Sequence, residues 1–231
     1  MKNCLVTGAS RGIGLELCRQ LQQRGHRVLA VCRQASAELR ALGCTVIDCI
    51  ELTDEASAAR LAARVAGQRI DVLVNNAGIL LRDSLGELDF DGMRRQFEVN
   101  TLAPLRVTHA LLPNLGAGSK VVIITSRMGS IADNGSGGYY GYRMSKAAVN
   151  IAGVSLARDL RERGIAVLLM HPGMVATEMT GHQGVPAAEA ARNLVAQIES
   201  LGLEQSGSFH HANGEPLPEG ASFVTASYGN A

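Results

Sequence analysis

Short apolar runs alternate with stretches of helical period along most of this chain. Lys2 to Thr7, Arg27 to Cys32, Thr45 to Ile50, Ile70 to Asn75, Lys120 to Thr125 and Ile165 to Met170 are runs of strand length, rich in Val, Ile and Leu. Between them, Ile13 to Arg24, Ala35 to Leu42, Glu55 to Ala66, Asp89 to Leu112 and Tyr142 to Arg163 carry the apolar spacing of helices. Strands that are apolar on both faces belong in a parallel sheet with helices on either side. Right-handed crossovers then wind the chain into an α/β fold, a single Rossmann-like doubly wound sheet. No repeat, low-complexity tract or linker breaks the pattern, so residues 1–231 read as one domain. Roughly residues 180–231 form a short C-terminal substrate or tail region. There Ala187 to Leu201 reads as a helix, Ser206 to His211 as a last strand, Asn213-Gly214-Glu215-Pro216 as a turn, and Pro218 to Ala231 as loop.

Composition narrows the partners. A chain of 231 residues is long enough to bury a core. Its longest apolar runs, such as Val121 to Ile124 and Ile165 to Met170, fall far short of the ~18 residues of a membrane span. The segment Met1 to Val6 reaches a glycine turn too soon for a signal peptide. A net charge of +1 offers no broad footprint for nucleic acid or an anionic membrane. The five cysteines, Cys4, Cys18, Cys32, Cys44 and Cys49, include no Cys-x-x-Cys and no zinc-like Cys/His spacing. They read as reduced, mostly buried residues of a cytoplasmic protein without a metal site.

Chemistry enters at two places. Thr7-Gly8-Ala9-Ser10-Arg11-Gly12-Ile13-Gly14 joins the first strand to the first helix. Glycines there let backbone approach a pyrophosphate, and the helix N-terminus offers free N–H groups. The spacing Gly-x-x-x-Gly-x-Gly differs from the Gly-x-Gly-x-x-Gly of two-domain dehydrogenases. The second strand ends Val31-Cys32-Arg33, with no acid before Glu38 to hold a ribose 2′-hydroxyl. Arg33 and Arg11 can instead face a 2′-phosphate, so NADP(H) is expected over NAD(H), although either arginine also fits an ordinary solvated position. The second place is Tyr142-x-x-x-Lys146, with Ser126 after the strand Val121 to Thr125. Tyr142 and Lys146 share one helix face. A nearby ammonium is expected to lower the phenol from its ordinary value of about 10 and make it a general acid or base. Ser126 can hydrogen-bond the same substrate oxygen. A lone Tyr-x-x-x-Lys is usually an ordinary helical pair; beside the glycine turn it reads as a reaction centre.

These motifs, with Asn75-Asn76-Ala77-Gly78, Asn100 and Pro172-Gly173-x-x-x-Thr177, resemble the classical short-chain dehydrogenase/reductase family from about Lys2 to Met179. Within it, the stretch Ser126 to Lys146, the segment Phe97-Glu98-Val99-Asn100-Thr101 and the tail around Asn213-Gly214-Glu215 are similar to the carbonyl reductases of C-factor and sniffer type. The resemblance implies catalytic roles for Asn100, Ser126, Tyr142 and Lys146, with Asn100 holding a water that links Lys146 to solvent. It implies cofactor contacts from Gly8, Ser10, Arg11, Gly12, Ile13 and Gly14 at the phosphates, and from Glu51 and Leu52 near the adenine. Asn76 would tie the central strands, with Ala77 and Gly78 against the ribose. Lys146 would bind the nicotinamide ribose, and Pro172, Gly173, Val175 and Thr177 would meet the nicotinamide end. Three departures stand out. Ser126 and Tyr142 lie sixteen positions apart, a few more than is usual, which leaves a glycine-rich loop beside the site. Glu51 replaces the usual aspartate. The stretch from Thr177 to Ala187 is short, which predicts an open, permissive site lined by Met128, Tyr139, Met174 and Met179.

The leading expectation is an NADP-dependent carbonyl reductase acting on a small carbonyl or alcohol substrate. The alternative is a nucleotide-binding signalling or scaffold protein of C-factor type that acts through partner contacts. A reductase of acyl-carrier thioesters would want a basic patch, and only Arg127 and Arg143 stand nearby. The resemblance also implies a homodimer or homotetramer built through the Asp89–Leu112 and Tyr142–Arg163 helices.

Overall fold

The structure, a computed structural model, describes residues 1–219. The chain runs β1 (Asn3–Thr7), α1 (Gly12–Gln23), β2 (Arg27–Val31), α2 (Ala37–Ala41), β3 (Thr45–Ile47), α3 (Glu55–Arg64), β4 (Val72–Asn75) and α4 (Phe90–Phe97). A π-helical turn, Glu98–Leu102, leads into α5 (Ala103–Ala110). Then come β5 (Lys120–Ile124), α6 (Tyr140–Asp159), β6 (Ala166–His171), β7 (Val175–Ala176), β8 (Val185–Pro186), α7 (Ala187–Ser200) and β9 (Phe209–His211).

Seven strands form one sheet in the order β3-β2-β1-β4-β5-β6-β9, and each pairing between neighbours is parallel. This is the doubly wound Rossmann-like fold that the alternation predicts. Strand residues are buried on both faces because helices cover both. Leu5, Leu73, Val121, Ile123 and Leu169 meet Val107 of α5 and Val149 of α6. Val6, Val74, Val122 and Leu168, on the other face, meet Leu17 and Leu21 of α1 and Leu194 and Ile198 of α7. Each such Leu, Ile or Val removed from water contributes about 1.5–3 kcal/mol, so the sheet anchors the fold from both sides.

Winding reverses between β1 and β4. Their carboxyl ends therefore open the crevice where α/β sheets bind ligands. The segments that follow β1, β4, β5 and β6 lie along this edge and carry most of the expected site residues; Arg33 follows β2, Glu51 and Leu52 follow β3, and Asn100, Tyr142 and Lys146 sit on the π-helical turn and α6.

Three elements depart from the sequence reading. The third strand stops at Ile47 because Cys49 takes a left-handed conformation, φ 59°, although the Ile50 N–H still bonds the Cys32 carbonyl at 3.1 Å. The last strand is only Phe209–His211. The long helix read over Asp89 to Leu112 is interrupted: Pro104 has no N–H for the Asn100 carbonyl four residues back, and the chain widens there into the π-helical turn. Of the loop read over Pro218 to Ala231, residues 220–231 lie outside the described residues.

Candidate active site

The glycine turn is built for close backbone approach. Gly8 and Gly12 have positive φ, 67° and 56°. A Cβ on Gly14 would lie 2.2 Å from the Gly8 carbonyl oxygen, and one on Gly8 would lie 2.9 Å from the Ala77 Cα. Helix α1 begins at once, with no side-chain cap and no acid in its first turn. By contrast Ser36, Asp54 and Asp89 cap α2, α3 and α4. An uncapped N-terminus after a glycine cradle suits an anionic group, so these residues fit a dinucleotide pyrophosphate. Asn76 locks the turn to β4: its Nδ2 donates to the carbonyls of Thr7 at 3.0 Å and Gly8 at 3.3 Å. The Thr7 hydroxyl accepts the N–H groups of Asn76 and Ala77 at 3.0 and 3.2 Å. Thr177 packs against Gly12, 3.2 Å from where a Cβ there would stand.

Arg11 and Arg33 are both about two-thirds exposed on their side chains. Each meets a glutamate: Arg11 bonds Glu178, and Arg33 lies 3.7 Å from Glu51. Exposed pairs of this kind are weak, so both guanidinium groups stay available to a phosphate. Glu51 also accepts from the Thr53 hydroxyl at 3.2 Å, while the Leu52 carbonyl accepts from Arg106 at 3.0 Å. Ser10 and Arg11 line one side of a cavity of about 480 Å³, with Gln34, Ser36 and Glu38 across from them.

The candidate reacting groups, Ser126, Tyr142 and Lys146, meet at the carboxyl end of β5 and the first turns of α6. Ser126 opens a short turn, Arg127–Gly129, and its Oγ accepts the Met128 N–H at 3.2 Å. Its hydroxyl lies close enough to the Tyr142 phenol to favour the phenol's ionised form. Lys146 Nζ lies 5.7 Å from the centre of the Tyr142 ring and donates to the Ile124 carbonyl at 3.0 Å. Burial pushes Tyr142 up to about 12, with only partial relief from the nearby Ser126 hydroxyl, and pushes Lys146 down to about 8. The sequence reading had the ammonium lowering the phenol. Desolvation works the other way, because a buried phenolate loses its hydration. A phenol that keeps its proton is a proton donor.

Asn100 is fixed within the π-helical turn. Its Nδ2 donates to the Ile79 carbonyl at 2.9 Å and to Ser145 Oγ at 3.0 Å, and its Oδ1 accepts the Ile79 N–H at 2.9 Å. Ser145 in turn donates to the Tyr142 carbonyl at 2.8 Å. A Cβ on Gly78 would sit 3.3 Å from Asn100 Oδ1 and 3.8 Å from Lys146 Nζ. Pro172 and Gly173 leave β6, and Gly173 (φ 86°) lies against His211. Val175 pairs with Val185, and the Thr180 hydroxyl closes the short loop onto the Val175 carbonyl at 2.6 Å.

Sequence reading missed Asp83, Gln96, Ser145 and His171. His171 ends β6, buried edge-to-face with His211 at 5.2 Å, and burial together with His211 pushes it down to about 3, so it is neutral beside the site. Gln96 stands four residues before Asn100, a helical spacing that was there to be read; Asp83 gave no local signal.

The model of the short chain dehydrogenase family matches residues 2–186. The chain belongs to this family. This short-chain dehydrogenase is 44% identical over 221 residues to the 1-hydroxy-2-glutathionyl-2-methyl-3-butene dehydrogenase of Rhodococcus sp. (strain AD45), covering 93% of this chain and 98% of that one. It is 46% identical over 161 residues to the C-signal of Myxococcus xanthus, covering 68% and 97%. Its fold matches the NADPH-bound carbonyl reductase from chicken fatty liver with a TM-score of 0.86 at 29% identity, over 94% of this chain and 99% of that one. Among its described residues, no helix is long and apolar enough to cross a membrane.

Proposed function

We propose that this short-chain dehydrogenase is an NADP(H)-dependent carbonyl reductase, a single dinucleotide-binding domain that converts a small aldehyde or ketone to its alcohol. The observation that carries the reading is the meeting of Ser126, Tyr142 and Lys146 beside a glycine turn that ends in an uncapped helix.

Gly8, Ser10, Gly12, Ile13 and Gly14 would hold the cofactor phosphates, with Arg11 and Arg33 at the 2′-phosphate and Glu51 and Leu52 near the adenine. Asn76, Ala77 and Gly78 would flank the ribose. Lys146, Pro172, Gly173, Val175 and Thr177 would meet the nicotinamide end. When bound, the dinucleotide supplies the hydride. Tyr142 gives its phenolic proton to the carbonyl oxygen as negative charge builds there, and the Ser126 hydroxyl donates a hydrogen bond to the same oxygen. Lys146 holds a proton beside Tyr142, and Asn100 keeps α6 against the segment after β4. The NADPH in the chicken enzyme supports the choice of cofactor. Free cysteines accord with the cytoplasm.

The test is NADPH oxidation against aldehydes, ketones and diketones, with NADH alongside. Glutathionyl alcohols are assayed with NADP⁺ in the reverse direction, since the Rhodococcus relative is named for one. Tyr142→Phe should bind NADPH normally and turn over about 10²- to 10⁴-fold more slowly. Wild-type turnover that survives in the variant removes Tyr142 as the proton donor. Failure to bind NADPH removes the cofactor assignment. Likeness to C-signal supports a second reading, signalling through partner contacts; a cellular effect that persists in Tyr142→Phe would favour it.

A further inference from the structure

The helix that carries Tyr142 and Lys146 begins without a cap of its own. Tyr139, in the cap position, bonds nothing in the first turn through its side chain and stands in the left-handed region at φ 51°. A bulky residue holds that conformation only where its surroundings enforce it. The N–H groups of a first helical turn need acceptors from elsewhere.

Asp83, which lies 57 positions before Tyr140, supplies them. Its carboxylate accepts the Tyr140 N–H through one oxygen and the Gly141 N–H, at 3.0 Å, through the other. Its carbonyl accepts the Tyr139 N–H at 3.0 Å. One residue thus takes three consecutive backbone donors, and its charge complements the positive end of the helix.

The Asp83 segment is itself held. Asn100 accepts the N–H of Ile79 and donates to its carbonyl, and the buried Gln96 accepts the Leu81 N–H at 2.9 Å. Just beyond, Ser84 and Glu87 exchange backbone hydrogen bonds at 3.3 and 3.0 Å. On the other side of the first turn a Cβ on Gly141 would fall 2.5 Å from Gln96 Nε2, so α6 sits tightly against α4. Tyr142 follows Gly141 directly.

We propose that Asp83 is a positioning residue for Tyr142: it clasps the first turn of α6 and so sets where the phenol stands relative to Ser126. This rests on the reading of Tyr142 as proton donor. Asp83 touches neither reacting group; it acts through the backbone.

Asp83→Ala and Asp83→Asn in the full chain test it. Amide hydrogen exchange at Tyr140 and Gly141 should quicken in Asp83→Ala. kcat for the best carbonyl substrate should fall about 10- to 100-fold, the scale of a small misplacement of a reacting group. NADPH affinity and the KM for substrate should stay within about twofold. Asp83→Asn retains a carbonyl acceptor and should recover much of kcat. A kcat for Asp83→Ala within twofold of wild type overturns the positioning role, as does a loss shared equally with NADPH binding, which marks general unfolding. Unchanged amide exchange shows that the clasp is not what holds the turn, and also overturns it. Wild-type protein that turns over nothing overturns the reductase reading itself, and the positioning role of Asp83 with it. That result is told apart from the others by the wild-type control.

Discussion

At the scale of single residues, burial decides the protonation of Tyr142 and Lys146. Lys146 titrates near 8 when folded against an ordinary 10.5. Below pH 8 it is charged in both states, and its burial is a standing cost. Between about 8 and 10.5 the unfolded chain binds its proton more tightly, so stability rises with pH. Tyr142 acts in the opposite sense. Its proton is held to about 12 against an ordinary 10.0, so the stability it lends is whole below 10 and drains away as pH climbs through 12. In denaturant titrations, wild type should gain on Lys146→Met between pH 8 and 10; a wild type that loses ground there would mean the ammonium is not desolvated. Carbonyl reduction should hold steady across neutral pH, while alcohol oxidation, which needs Tyr142 to release its proton, should climb toward alkaline pH. Tyr142 and Lys146 were legible in the sequence because a helix makes neighbours of positions four apart. The direction of their shifts was not, because desolvation depends on what the whole fold packs around them. Asp83 was invisible for the same kind of reason, since its partners are backbone groups reached only through the fold.

At the scale of elements, helix existence was easier to read than helix shape. The apolar period ran unbroken from Asp89 to Leu112, and the π-helical turn inside it depends on Pro104 and on an Asn100 turned toward Ile79. The Ser126 turn shows how closely such elements are fitted. Gly129 lies against α6, and a Cβ there would come within 2.7 Å of the Lys146 backbone carbon. Backbone cannot rotate away as a side chain can, so Gly129→Ala must push the Ser126 turn and α6 apart. We expect a loss of about 1–3 kcal/mol of stability from overpacking, together with a lowered kcat, since Ser126 and Tyr142 ride on the two separated elements. Thermal unfolding and single-turnover rates check both; an unchanged kcat would show that the pair tolerates the separation.

At the scale of the whole molecule, alternating apolar strands and helices were enough to foresee a parallel sheet whose carboxyl edge gathers the motifs. What alternation could not mark is the outer surface, where an apolar side chain in a helix reads the same whether it faces the core or a second copy of the chain. Here the structure separates the two. Val149 of α6 is fully buried, whereas Ile151 is 64% and Met144 51% exposed. Met144 and Ile151 stand seven residues apart, as do Phe90 and Phe97 of α4, which are 61% and 40% exposed. Seven residues is close to two helical turns, so each pair lies along one stripe, and α4 packs beside α6. The result is exposed apolar surface on two neighbouring helices, the same helices expected to build a homo-oligomer, and concentrated apolar exposure marks interaction surfaces more often than scattered residues do. We predict that wild type runs as a dimer or tetramer by light scattering and that Phe97→Glu with Ile151→Glu shifts it toward monomer. Both substitutions are at exposed positions, so each subunit should keep its fold by circular dichroism. A wild type that is already monomeric at micromolar concentration, or a double variant of unchanged mass, would place the assembly surface elsewhere and leave these four side chains as ordinary exposed hydrophobics.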